Sequence, residues 1–157
     1  MQSIKIKDIS KSFPGVKANS NISFEINEGS IHAIVGENGA GKSTLMKILY
    51  GMIKPDSGEV YVFNEKISLN SPKDAIDYGL GMVHQHFMLA DNFSVIESII
   101  LGIDTAGLKN LKLDQYKKSI KEVMERYSLN VGLDQFVDEL GVGEKQRVEI
   151  LKVLFRG

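Results

Sequence analysis

Within Gly36-Glu37-Asn38-Gly39-Ala40-Gly41-Lys42-Ser43, three glycines, a lysine and a hydroxyl stand where a chain of phosphates could be held. The spacing G-x-x-x-x-G-K-[ST] is that of a phosphate-binding loop. Its glycines let the backbone wrap closely and turn successive N–H groups inward, making a concave nest for an anion. The helix that follows such a loop adds the unpaired amides of its first turn and the positive end of its dipole. Lys42 then reaches the β- and γ-phosphates as a mobile point charge, and the Ser43 hydroxyl ligates Mg²⁺. Thr44, next along, completes the candidate phosphate contacts. In a chain of this length the pattern arises by chance at about half a percent.

The elements on either side must aim that loop. Ile31-His32-Ala33-Ile34-Val35 precedes it and is apolar on both faces, as a central strand of a parallel sheet would be. Lys42 to Tyr50 follows as a helix, with Leu45, Met46 and Leu49 on one stripe. Upstream, Ile4, Ile6 and Ile9 punctuate a charged segment. Ile22, Phe24 and Ile26 alternate with Ser23, Glu25 and Asn27 at the period of a half-buried strand. The turn residues Asn27-Glu28-Gly29-Ser30 then predict a hairpin over residues 20–35. Pro55-Asp56-Ser57-Gly58 is another turn, followed by a short hairpin of Val60–Phe63 and Ile67–Leu69. Ser71 and Pro72 start a helix that Gly79 ends, and Leu80–Val83 returns to strand. Ser94 with Glu97 makes a capping box before Ile99, Ile100 and Leu101. Asp114–Tyr127 carries Tyr116, Ile120, Val123 and Tyr127 at helical spacing, with Lys117, Lys118, Lys121 and Arg126 on a solvated face. A last helix runs from about Gly143 to Phe155 with Val148, Ile150, Leu151 and Leu154.

Composition narrows the functions open to this arrangement. The 157 residues suit one domain, and 43% hydrophobic with 25% charged residues is a globular composition. The 19 Lys and Arg against 20 Asp and Glu leave a net charge of −1, so no nucleic-acid partner is expected. Without cysteine, disulfide scaffolds, thiol catalysis and Cys-based zinc sites are excluded. His84 and His86 would share one face of a strand but have no third ligand nearby, so they read as ordinary histidines. No run of about 18 apolar residues is present, and the N-terminus lacks the apolar stretch of a signal peptide, which predicts a cytoplasmic chain or the cytoplasmic part of something larger. Leu154-Phe155-Arg156-Gly157 closes an apolar helix without a polar tail, which predicts part of something longer.

Further segments choose among phosphate-loop proteins. Leu140-Gly141-Val142-Gly143-Glu144, followed by Lys145-Gln146-Arg147-Val148-Glu149-Ile150, resembles the signature motif of ATP-binding-cassette ATPases. Gln85, within Gly81-Met82-Val83-His84-Gln85-His86-Phe87, resembles that family's Q-loop glutamine at the end of a strand. Phe13, before Pro14-Gly15, is similar to the aromatic on which the family stacks adenine, and Lys54-Pro55-Asp56-Ser57-Gly58 is also familiar there. The wording of His84–Leu89 and Arg147–Gly157 looks most like the simple-sugar and nucleoside importer branch, whose cassettes are commonly fused in pairs.

The resemblance implies an α/β phosphate-loop fold of the cassette ATPase type. Its nucleotide-binding core would carry an antiparallel β-portion over residues 1–90, and a helical subdomain over residues 91–157 would end in the signature helix. It implies ATP and Mg²⁺, held by Phe13, Gly36, Glu37, Asn38, Gly39, Ala40, Gly41, Lys42, Ser43, Thr44 and Gln85, with Ser43 and Gln85 on the metal. It implies a second cassette, head to tail, whose nucleotide meets Leu140–Glu144. It implies membrane permeases docking near Phe87–Leu101, with Phe87, Met88, Leu89 or Phe93 in contact, and a solute-binding protein acting indirectly. The chain would then work at the cytoplasmic face of the membrane, coupling ATP hydrolysis to solute uptake. The rival is a soluble cassette ATPase acting on ribosomes or DNA; neutral charge and the lack of a basic arm stand against it. Two departures matter. Gly141 replaces the signature serine and removes a hydroxyl. The family's Walker B aspartate, catalytic glutamate and switch histidine have no counterpart here, so no general base is named and residues 1–157 alone are expected not to hydrolyse ATP.

Overall fold

A computed structural model of the protein describes residues 2–102 and 113–156; residues 103–112 of the expected helical portion, and the terminal Met1 and Gly157, lie outside them. Strand β1 (Gln2–Phe13) turns at Pro14 and Gly15 and returns as β2 (Val16–Asn27). The apolar residues face one another across this pair, Ile4 with Ile26, Ile6 with Phe24 and Ile9 with Ile22. In an unbroken strand Ile6 and Ile9 would point to opposite faces. A bulge between them, with Asp8 at φ 52°, resets the alternation so that both are buried. Strands β3 (Ser57–Val62) and β4 (Glu65–Ile67) complete an antiparallel sheet in the order β2-β1-β3-β4.

Helix α1 (Lys42–Leu49) and helix α2 (Pro72–Asp77) belong to the same compact unit, Met1–Leu80. Leu45 and Ile48 of α1 and Ala75 of α2 join Ile6, Ile9, Val60, Val62, Ile67 and Leu69 in one core. Burying such aliphatic side chains contributes about 1.5–3 kcal/mol each, which is what fastens a short helix like α1 to the sheet.

The second unit, Gly81–Gly157, contains α3 (Val95–Ile100), α4 (Leu113–Tyr127) and α5 (Val142–Arg156). Its core gathers Val95, Ile96, Ile99 and Ile100 of α3, Ile120 of α4, Leu133, Leu140, and Val148 and Leu151 of α5. Backbone bonds from Val95 to Gln135, Ile96 to Leu133 and Val137 to Phe93 tie the start of α3 to the segment before a short 3₁₀ turn at Val137–Glu139.

Three expectations are corrected. The hairpin lies at Pro14-Gly15 and not over residues 20–35, because both arms of the pairing come from residues 2–27. The turn at Asn27 does form, with Ser30 donating from its N–H and its Oγ to the Asn27 carbonyl. It leads, however, into a segment without a strand partner among the described residues: Ile31–Val35 is not a strand, and Ile31 is 100% and Val35 90% exposed, although His32 stacks on Phe24 and Ile34 packs on the core. Leu80–Val83 is likewise outside any strand. A strand exists only by its ladder, and both apolar runs lack one here.

Candidate functional site

In the first unit, residues Gly36–Ala40 form an exposed loop closed by the Ala40 N–H on the Glu37 carbonyl at 3.2 Å. Gly41 ends the loop in the left-handed region, φ 90°, and its carbonyl accepts the first helical bond of α1 from Leu45 at 2.9 Å. A Cβ on Gly41 would lie 2.0 Å from the Ala18 carbonyl oxygen, so only glycine lets β2 and the loop approach this closely. Asn19, 5% exposed, seals the same junction by donating from Nδ2 to the Gly41 carbonyl at 3.3 Å.

Helix α1 begins without a side-chain cap and without an acid in its first turn. The contrast with its neighbours is instructive. Helix α2 has Ser71 and Asp74 as a capping box, and α3 has Ser94 and Glu97, each satisfying the amides at its own start. Where α1 begins, the chain instead places Lys42, a cation at the positive end of the dipole, which is unfavourable by about 0.3–1 kcal/mol unless an anion joins it. The Lys42 ammonium folds over the loop and donates to the carbonyls of Gly36 at 2.6 Å and Glu37 at 2.7 Å. An ammonium has a third N–H, and Ser43 presents an exposed hydroxyl in the same turn, with Thr44 half-buried beside it. Open amides, a cation and a hydroxyl around a glycine loop suit a polyphosphate with a metal ion.

Phe13 closes β1 and is 41% exposed, with the Lys11 ammonium 5.7 Å from its ring centre. Asp56 fixes this strand end. Its carboxylate accepts from Lys11 Nζ at 2.7 Å and from the Ser12 N–H at 2.7 Å, while its own N–H donates to the Ser10 carbonyl. The Lys11 hydrogen bond, and then that of the Ser12 N–H, hold the Asp56 carboxyl below its ordinary value.

The second unit carries the other anticipated residues. Gln85 is exposed in a bend and not at the end of a strand. Of the apolar residues after it, Phe87 is 37% and Met88 58% exposed, whereas Leu89 packs on the helical core and Phe93 is half-buried. In Leu140–Glu144, Leu140 is buried and Gly141, Val142 and Gly143 are exposed at the head of α5. Gly141 offers no hydroxyl, and the Glu144 carboxylate takes up the capping instead, accepting the Gly141 N–H at 3.0 Å.

The structure thus gathers the loop, Lys42, Ser43 and Asn19 in one unit, and the signature residues with Gln85 in the other. Sequence reasoning missed Asn19, read Asp56 only as a turn residue, and took Glu149 only as part of the signature helix. Asn19 left no signal: the alternation of Ile22, Phe24 and Ile26 assigns odd-numbered residues to the outer face, and the pairing shifts register between Ile9–Ile22 and Lys11–Asn19. Glu149 did have one, an acid set between Val148 and the apolar pair Ile150-Leu151.

Comparison with known proteins agrees with this geometry. The sequence model of the ABC transporter family matches residues 19–157. The chain is 46% identical over 154 residues to the guanosine import ATP-binding protein NupO of Bacillus subtilis (strain 168), a match that covers 98% of this chain and 30% of the relative. Over 154 residues it is 49% identical to the nucleoside import ATP-binding protein NupA of Lactococcus lactis subsp. cremoris, again covering 98% of this chain and 30% of the relative. Among solved structures it resembles a nucleotide-free ATP-binding cassette from an ABC transporter, with a TM-score of 0.82 at 28% identity, covering 99% of this chain and 66% of that one. It also resembles a bacterial ABC transporter cassette solved in dimeric form, with a TM-score of 0.79 at 27% identity, covering 98% of this chain and 69% of that one. The phosphate-loop fold is therefore that of a cassette ATPase, and the chain belongs to the ABC transporter family.

Proposed function

We propose that these residues form the ATP-binding part of an importer ATPase subunit, one that takes up nucleosides or simple sugars. The observation that carries the reading is the start of α1, uncapped, free of acids and headed by Lys42 behind a glycine loop. The loop amides of Gly36–Gly41 and those of Lys42, Ser43 and Thr44 hold the phosphates, and Lys42 shifts its donors from the loop carbonyls to phosphate oxygens. Phe13, fixed by Asp56 and flanked by Lys11, supplies a face for the adenine ring. Ser43 and Gln85 are the residues that would hold Mg²⁺, which when bound neutralises charge on the terminal phosphates. Because α5 begins with exposed glycine amides, Leu140–Glu144 serve as the signature toward a second cassette's nucleotide. The dimeric relative supports that pairing.

The chain spans about 30% of the length of the curated relatives it matches. No helix among the described residues is long and apolar enough to cross a membrane. A permease is the partner that would anchor the subunit at the cytoplasmic face, and the exposed Phe87, Met88 and Leu101 near the start and end of α3's approach are its contact candidates. A solute-binding protein would act through that permease. The names of the relatives, which import guanosine and nucleosides, support the solute class.

The test is titration calorimetry with MgATP on the full-length protein. Lys42→Ala should cost at least about 1.5 kcal/mol of binding through the lost charge-assisted contact. Unchanged affinity in a folded variant would sink the assignment.

A further inference from the structure

The second unit buries an acid that nothing above employs. Glu149 of α5 is 2% exposed, in a helix turn otherwise lined by Val148 and Leu151. Its Oε1 accepts the Met88 N–H at 2.7 Å. One turn on, Lys152 Nζ donates to the Met88 carbonyl at 3.1 Å. The two side chains therefore grip both sides of one residue's main chain, while the Met88 side chain stays 58% exposed. At the other end of the same segment Gly81 lies against α5 as well, where a Cβ would meet Val153 Cγ1 at 2.3 Å. Gln85 lies between these two anchors.

A buried carboxylate is costly unless compensated, and apolar residues of similar size are often as stable or more so. Lys152 is half-buried; its partial desolvation pushes its ammonium below the usual lysine range, and Glu149 partly offsets that. Two charged side chains held on one main-chain unit in an otherwise apolar turn fix register more than they add stability. From this we infer that Glu149 and Lys152 are positioning residues, a main-chain clamp on Met88 that makes the Gln85 segment and α5 move as one piece. The inference rests on the importer reading above. On that reading, a change felt at Gln85 reaches the head of α5 and the exposed Phe87-Met88 pair together, because the clamp removes the slack between them. It is a coupling role and requires no contact with nucleotide.

The experiment uses the complete importer in membrane vesicles, with radiolabelled guanosine as the solute probe. Uptake per ATP hydrolysed is compared for the native protein, E149Q and the double variant E149L/K152M, alongside thermal melts and hydrogen exchange at the Met88 amide. E149Q keeps an oxygen that accepts the Met88 N–H, so its ratio should stay within about twofold of native. The double variant replaces the pair by apolar groups, so its melting point should hold while its Met88 amide exchanges at least about tenfold faster. Its uptake per ATP should fall by about tenfold, with hydrolysis itself kept within about threefold. An unchanged ratio in the double variant overturns the clamp, and so does a ratio that falls only in step with the melting point. If the native protein binds no ATP the importer reading fails, and Met88 exchange still reports on the clamp separately.

Discussion

Gly41 and Gly39 allow the geometry of the phosphate loop to be tested by two substitutions that differ in one respect. Both glycines have nearly the same backbone, φ 90° and φ 87°. An alanine at either must adopt the left-handed region, at about 1–2 kcal/mol. At Gly39 nothing lies within 4 Å of the added Cβ, so that strain is the whole cost. At Gly41 the Cβ would stand 2.0 Å from the Ala18 carbonyl oxygen and 2.9 Å from Asn19 Nδ2. The strand edge is backbone and cannot yield cheaply, so the loop must move, and the Asn19 bond to the Gly41 carbonyl goes with it. That bond adds about 1 kcal/mol, and the displacement a further 1–3 by analogy with overpacking. Gly41→Ala should therefore cost about 2–4 kcal/mol more than Gly39→Ala. In thermal melts of the full-length protein the excess is read as a larger fall in Tm, at about 2–4 °C per kcal/mol for a domain of this size. In MgATP titrations the displaced loop should lose more than about thirtyfold in affinity, against less than about tenfold for Gly39→Ala. Equal losses for the two variants would refute the claim that close approach to β2 shapes the loop.

If Phe13 is a stacking face and not a hydrogen-bonding pocket, GTP should bind within about tenfold of ATP, and Phe13→Ala should weaken both alike in competition titrations. Asp56 is held below its ordinary pKa by Lys11 and Ser12, so its contribution to stability is present above the unfolded carboxylate value of about 3.9 and is lost as pH falls through the lower folded value. The Tm difference between native protein and Asp56→Asn should accordingly be flat above about pH 5 and shrink in more acidic buffer. Ile120, 0% exposed, should cost about 2–5 kcal/mol on truncation to Ala, measured by denaturant unfolding, whereas Tyr127→Ala, at a side chain 46% exposed, should cost far less.

What could be read without coordinates was whatever is specified locally. The capping pairs Ser71 with Asp74 and Ser94 with Glu97 lie within one turn, so the sequence contains the whole interaction, although the acid partner of Ser71 was seen only in the structure. The loop from Gly36 to Ser43 is equally local, and so are the helices at Leu113–Tyr127 and Val142–Arg156. Distant pairings were hidden. Nothing near Asn27 reveals that β2 already has β1 as its partner, so the turn there was assigned to the wrong hairpin. Ile31–Val35 has the composition of a buried strand, but composition does not supply a neighbour. Glu149 and Met88 are 61 residues apart, and Asn19 and Gly41 are 22 apart. No periodicity links such pairs.

The bulge at Asp8 also makes β1 a strand with more than one reading frame. The pairing of β1 with β2 slips between Ile6 and Ile9, again between Ile9 and Lys11, and again between Lys11 and Ser12. Each slip changes which residues count as inward, so the side on which Phe13 emerges is fixed by the sum of the offsets before it. Deleting a single residue ahead of Phe13 would leave every neighbouring side chain chemically intact and still turn the ring to the opposite face. The aromatic platform is thus specified by counting as much as by chemistry, and indels near the N-terminus should be far less forgiving there than the exposed position of Phe13 would suggest.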